Sequence, residues 1–266
     1  MHHALFLPIF DELGDPRVVA RLSAEAEETG WDGVFVWDHV VYSPPAAAVA
    51  NPWVTMAAMA VATDRVRIGP MVTPLPRRRP LSVAREMITL DLLSGGRTTL
   101  GVGIASDNHR ELSATGEVVD WPERGAMLDE ALDVLTAAWS GEAVHHRGEH
   151  YVVDGLTILP RPVQRPHPPV WVGLRYGSRK PLRRAARFEG VFPVAVTEPD
   201  QLAEVVAGVA EHRRPDAGPL DVVIGMRPGT DPRPYEAVGA TWWLEAFPVG
   251  STVDEVRATL RSGPNR

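Results

Sequence analysis

The sequence predicts an α/β protein, a closed (β/α)8 TIM barrel with one insertion between its fourth and fifth strands. Three observations carry this. Short apolar runs alternate with helical patterns, which implies a parallel sheet covered on both faces. The alternation runs through eight strand–helix steps in 266 residues, a count that suits a closed barrel better than an open doubly wound sheet. After the first strand stands Leu7-Pro8-Ile9-Phe10-Asp11, not the glycine fingerprint of a dinucleotide-binding fold.

Residues 4–10 form a short apolar run broken by Pro8, suited to a buried first strand. Residues 15–29 carry Val18, Val19, Leu22 and Ala26 at helical spacing, and Gly30 ends them. Residues 33–37 are strand two. Asn51 then caps a helix to residue 63, with Pro52 at its first position. Residues 66–72 are strand three, 73–79 a loop with three arginines, and Pro80 opens a helix stopped by Ser94-Gly95-Gly96. Residues 98–103 are strand four, so 66–103 reads as one βαβ unit. The long loop follows the strand, the side on which parallel barrels do their chemistry.

The insertion, residues 104–168, carries a helix over 123–139 with Met127, Leu128, Ala131, Leu132, Leu135 and Trp139 on one face. Residues 148–154 read as half of a small hairpin. Strands follow at 169–173, 190–194, 221–225 and 241–245, with helices at 181–188, 200–212, 235–238 and 253–262. No low-complexity linker divides the chain, so a single domain over residues 1–266 is expected.

Composition narrows the function classes. A net charge of −7 argues against sequence-independent nucleic-acid binding, which needs a basic face. The absence of cysteine removes thiolate catalysis, disulfides and Cys-ligated metal. No run of about 18 apolar residues offers a membrane span. The N-terminus enters an apolar run at Ala4 without a basic leader, so a cytoplasmic protein is expected.

Asp38-His39 falls where strand two ends, at a barrel mouth. There a His exchanges protons near neutral pH and an adjacent carboxylate orients it; equally, Asp38 caps backbone amides and His39 makes one structural hydrogen bond. Gly101-Val102-Gly103 ends strand four, where missing side chains let backbone approach a flat ligand or simply let the barrel pack. The loop Gly173-Leu174-Arg175-Tyr176-Gly177-Ser178-Arg179-Lys180 precedes a helix opened by Pro181. It reads as a phosphate cradle or as a solvated basic loop. Arg77-Arg78-Arg79 reads first as a solvated loop or dimer contact, and second as an anion site, because charge runs usually face water. His2-His3 and His145-His146 lack the carboxylates and the facing geometry of a metal set, and no metal is expected. Trp242-Trp243 places one ring inward and one outward, with core packing the main role and pocket lining an alternative.

Taken in order, Asp38-His39, residues 69–80 with Val72-Thr73-Pro74, Leu90-Asp91-Leu92-Leu93-Ser94-Gly95-Gly96-Arg97, Gly101-Val102-Gly103 and Pro169-Val170-Trp171-Val172-Gly173 resemble the luciferase-like oxidoreductases. The resemblance extends to residues 182–193 and 239–245. It implies a barrel, often a homodimer, that binds coenzyme F420 or FMN at the C-terminal ends of its strands. Asp-His after strand two tilts the implied cofactor toward F420, with FMN the alternative. It implies His39 beside the reactive carbon of the coenzyme, with Asp38 in support. It further implies a cis Met71-Val72 bond beneath the ring, against an ordinary trans strand end, and Thr73 at the ring edge, against a strand cap. Gly101, Gly103, Ser106, Gly173, Arg175, Gly177, Ser178, Arg179 and Lys180 complete the implied cofactor contacts. Several F420-dependent dehydrogenases carry Glu three residues past the glycines, where this chain has Ser106 and then Asp107. Gly173-Leu174 also departs from the usual Gly-Gly.

The expected function is therefore hydride transfer between F420 and a small organic substrate. The alternatives are an FMN-dependent monooxygenase and a non-catalytic flavin-binding protein.

Overall fold

The computed structural model describes residues 1–264. The first half of the barrel comprises β1 (His2–Leu7), α1 (Pro16–Glu28), β2 (Gly33–Val36), α2 (Pro52–Ala62), β3 (Arg67–Pro70), β4 (Thr73–Pro74), α3 (Pro80–Ser94) and β5 (Leu100–Gly103). The insertion holds α4 (Trp121–Trp139) and a hairpin of β6 (Ala143–Arg147) with β7 (Val152–Thr157). The second half comprises β8 (Val170–Arg175), α5 (Lys180–Ala185), β9 (Gly190–Val194), α6 (Pro199–Ala210), β10 (Asp221–Met226), α7 (Arg233–Ala237), β11 (Trp242–Ala246) and α8 (Val253–Ser262).

The main sheet runs β3-β2-β1-β11-β10-β9-β8-β5-β4, and its pairs are parallel. It closes on itself. The Ile68 amide donates to Arg97 O at 3.0 Å and the Thr99 amide to Ile68 O at 2.9 Å, while Thr73 and Pro74 pair with Val102 and Gly103. β3 and β4 are thus two parts of one barrel strand. The predicted strand over 66–72 is correct in place but broken at Met71 and Val72, where the peptide bond is cis.

Strand parity sorts the core. Ala4, Phe6, Phe35, Trp171, Trp242 and Leu244 fill the barrel interior, while Leu5, Leu7, Val34, Val36 and Trp243 face the helix layer. Trp242 and Trp243 divide as predicted. Trp242, however, pairs in register with His2 at the start of β1, so it lies at the end of the barrel opposite His39 and lines no mouth. A buried aromatic of this size removes roughly 150–250 Å² from water, so Trp171 and Trp242 account for much of the interior.

Local signals place the helices. Asn51 accepts from the amides of Trp53 and Val54, and α3 ends on left-handed Gly95. α4 begins two residues earlier than predicted because Asp120 caps it by accepting from the Glu123 amide. α5 stops at Ala185, short of the predicted 188, and Phe188 turns into the core. The hairpin is held on α4 by Glu130, which accepts from the amides of His150 and Tyr151 and contacts His146 Nε2 at 2.9 Å. Among the described residues no helix is long and apolar enough to cross a membrane.

Candidate active site

The C-terminal ends of β2, β3, β4 and β5 converge on one mouth. β2 ends at Val36, and the chain then presents Trp37, Asp38 and His39. Asp38 is buried and accepts from Thr73 Oγ1 at 2.8 Å and from Arg77 Nη2 at 2.7 Å. Thr73 thus stands at a strand end with its hydroxyl given to Asp38.

His39 keeps a quarter of its side chain exposed, and its Nδ1 lies 3.0 Å from Oε2 of Glu111. Glu111 comes from the insertion and is almost fully buried. It also accepts from the Val40 amide and from Arg77 Nη1. Burial raises its pKa, but the bonds from His39 and the Val40 amide, with the charges of His39 and Arg77, outweigh burial and hold the carboxyl below its ordinary value. An ionised carboxylate only accepts, so the His39 proton sits on Nδ1 and Nε2 is left as the atom that can take or give one.

Arg77 is the link between the two carboxylates. Its side chain is 8% exposed. This corrects the first reading of the arginine run: Arg77 is buried and doubly paired. Arg78 pairs with Glu86 and lies 4.9 Å over the Trp53 ring, and Arg79 alone of the three is exposed.

The glycines shape the floor. A Cβ on Gly101 would stand 2.3 Å from Pro70 O, and one on Gly103 would stand 2.7 Å from Val72 Cγ2. A Cβ on Gly173 would likewise press on Val72 Cγ1 at 3.0 Å. The strand ends of β5 and β8 are therefore bare because the Met71-Val72 bulge lies on them. Ser106 is half-buried in the loop beyond β5, and Asp107 beside it accepts from the amides of Leu112 and Ser113, which turns the chain so that Glu111 faces inward.

The wall over His39 is aromatic. Phe10, Trp37 and Tyr42 pack around it, and His109 lies tilted against Tyr42, 3.8 Å between ring centroids, and contacts Ser43 Oγ at 2.6 Å. A cavity of about 460 Å³ opens beside Asp38, His39, Arg77 and Glu111. Arg175 ends β8, and Gly177, Ser178, Arg179 and Lys180 line a second cleft, between α5 and α6. Gly177 takes a left-handed turn there, and the Ser178 amide donates to Arg175 O. Asp38, His39, Met71, Val72, Thr73, Gly101, Gly103 and Gly173 thus gather at one place, and the basic loop forms another.

Glu111, Tyr42 and His109 are mouth residues that no motif singled out, and Arg77 stood out only as one of a charge run. Glu111 lies in irregular chain with no periodicity, and Arg77 was masked by its charged neighbours. The available signal was chemical: a buried Asp38 needs a counter-charge.

The luciferase-like monooxygenase family model matches residues 4–259. An F420-dependent glucose-6-phosphate dehydrogenase of Microbacterium testaceum is 36% identical over 194 residues, 71% of this chain and 56% of that protein. The chain thus spans little more than half of that relative. Among solved structures, the coenzyme F420 dependent tetrahydromethanopterin reductase of Methanopyrus kandleri superposes with TM-score 0.78 at 16% identity, covering 97% of this chain and 96% of that one. The monooxygenase RslO1 of Streptomyces bottropensis gives 0.76 at 20%, covering 98% and 97%.

Proposed function

We propose that this chain, which belongs to the luciferase-like monooxygenase family, is an oxidoreductase that uses coenzyme F420 to move a hydride to or from a small organic substrate. The observation that carries the reading is His39, held by Glu111 through Nδ1 with Nε2 left for the reaction, beside the Met71-Val72 bulge. The named activity of the Microbacterium relative supports the choice of coenzyme.

The residues present fit a flat ring with a polar edge. Val72 lies across Gly103 and Gly173 as a shelf, and Asp38 with Thr73 stands at its side. Trp37 adds a buried Nε1 donor with no partner among the described residues. When bound, the coenzyme supplies a ring carbon that takes or gives a hydride. The chain does the rest. His39 Nε2 takes the substrate proton when hydride leaves, or returns it in the reverse direction. Glu111 keeps the imidazole in one tautomer, and Arg77 holds both carboxylates in place. The aromatic wall excludes water from the exchange. Arg175, Arg179 and Lys180 are the proposed contacts for the phosphate of the coenzyme. The proposed partners are this small-molecule substrate and a second copy of the chain. Val54 and Val61 on α2 and Leu92 and Leu93 on α3 leave apolar side chains exposed on neighbouring helices.

The rival is an FMN-dependent monooxygenase, which the likeness to RslO1 keeps in view. Titration of the purified chain with each coenzyme separates the two. Micromolar F420 binding with much weaker FMN binding supports the proposal; tight FMN binding without F420 binding overturns it. Light scattering that returned only a monomer would remove the homodimer.

A further inference from the structure

We propose that Arg124 is a positioning residue: it makes residues 105–119 a hinged lid, latched by His109, that sets Glu111 on His39 when it closes. The inference rests on the reading of His39 above and extends it to the chain that carries its partner.

The segment is built as a unit. It leaves β5 and returns to α4, and its two ends meet at one guanidinium, as in an Ω-loop. Arg124 lies in the first turn of α4 and is 1% exposed. Its Nη1 donates to Ile104 O at 2.7 Å and to Ala105 O at 3.2 Å, and its Nη2 to Val119 O at 3.2 Å. The clamp is fixed, because Leu128, Leu132 and Leu135 of α4 are buried in the core. Beyond the clamp the segment bonds to itself. Asp107 Oδ1 accepts from the amides of Leu112 and Ser113, and Asp107 O from the Arg110 amide. Leu112 O accepts from the amides of Thr115 and Glu117. Ala105 and Arg110 hold left-handed backbone, φ 62° and 58°, without being glycine. Such strain persists only where surrounding contacts over-determine it, and it gathers at parts that switch. Ala105, at the clamp, is thus placed as the hinge.

Among the described residues, the segment's hydrogen bonds to the loops after β2 and β4 all come from two side chains. Glu111 accepts from the Val40 amide and Arg77 Nη1 and lies 3.0 Å from His39 Nδ1. His109 contacts Ser43 Oγ and lies against Tyr42. The seam between the loops is open. The cavity beside His39 has Glu111, Thr115 and Glu117 on one side and Val40, Val49 and Ala50 on the other. Parting the seam takes Glu111 off its three partners together. His39 then loses the acceptor for its Nδ1 proton, and both tautomers become open to it. Closure restores one tautomer with Nε2 free, so the geometry for proton exchange is completed by the lid.

Amide exchange and imidazole-nitrogen NMR on the full chain without coenzyme test this. The Val40 amide is held across the seam by Glu111, and the Leu112 amide is held within the segment by Asp107. A lid that opens as a unit frees the first and not the second. Val40 is expected to exchange about tenfold or more faster than Leu112, and His109→Ala to speed Val40 about tenfold further while Leu112 is unchanged. The neutral His39 ring, assigned by its loss in His39→Gln, should carry its proton on Nδ1. Arg124→Gln should move it toward a mixture of tautomers. Arg124→Lys, whose ammonium cannot tie both ends as a fork does, should lie between the two, and it carries the reading if the Gln variant does not fold. Val40 and Leu112 exchanging at one rate in wild type and His109→Ala overturns the lid. A His39 ring that keeps the wild-type tautomer in every folded Arg124 variant overturns the positioning role. A chain that shows both effects and binds no F420 loses the functional reading and keeps the lid. A chain that binds F420 while Val40 and Leu112 exchange together does the reverse.

Discussion

Arg77 stands between a carboxylate from the end of β2 and one from the insertion, and the three side chains are nearly closed off from water. Taking it away leaves Asp38 buried with no cation and Glu111 with only His39 beside it. Arg77→Met is expected to cost about 3–5 kcal/mol in denaturant unfolding, and Arg77→Lys to recover only part, because an ammonium cannot bridge two carboxylates as a fork does. Glu111 sets a pH dependence. Its folded pKa lies below the unfolded one, so the stability it contributes is present above the ordinary glutamate value of ~4.3 and is lost as pH falls through the lower folded value. The stability difference between wild type and Glu111→Gln should therefore be flat above about pH 5 and shrink below the ordinary value; urea melts across pH 3–7 measure it. None of this was legible from spacing. Asp38 and Glu111 are 73 positions apart, and only the closed barrel brings them to one guanidinium.

At the scale of elements, most of the plan was legible. Periodicity and glycine punctuation located each barrel strand and each long helix to within a few residues, because the barrel core demands those patterns. What escaped was set by tertiary contact. β3 breaks because the bulge seats on bare glycines of β5 and β8, and a strand's own residues do not report that. Gly101→Ala is expected to destabilise by about 1–3 kcal/mol, since its Cβ would meet the Pro70 carbonyl. Asp91 shows the same dependence on distant chain. It is fully buried in α3 and accepts from Thr98 Oγ1, from the amides of Val163 and Gln164 and from Gln164 Nε2, which pins the return of the insertion to the barrel. Asp91→Ala strands those donors and is expected to cost about 3 kcal/mol or more, with faster proteolysis near residue 163. The basic loop after β8 carries a separate expectation. The double change Arg179→Ala, Lys180→Ala should weaken F420 about tenfold without lowering the melting temperature.

For the whole molecule, the closed sheet explains why the site is where it is. Parallel strands deliver their loops to one rim, so residues 38, 73, 103 and 173 from four different strands meet at one mouth. The sequence motifs named that rim, and the barrel adds the insertion's Glu111 to it. A crystal structure of the chain grown with coenzyme F420 tests the central claim most directly. The account expects the ring to lie on the Met71-Val72 bulge, its edge against Asp38 and Thr73 and its reactive carbon facing the His39 side of the mouth. A ring seated elsewhere, for example in the cleft between α5 and α6, would contradict it.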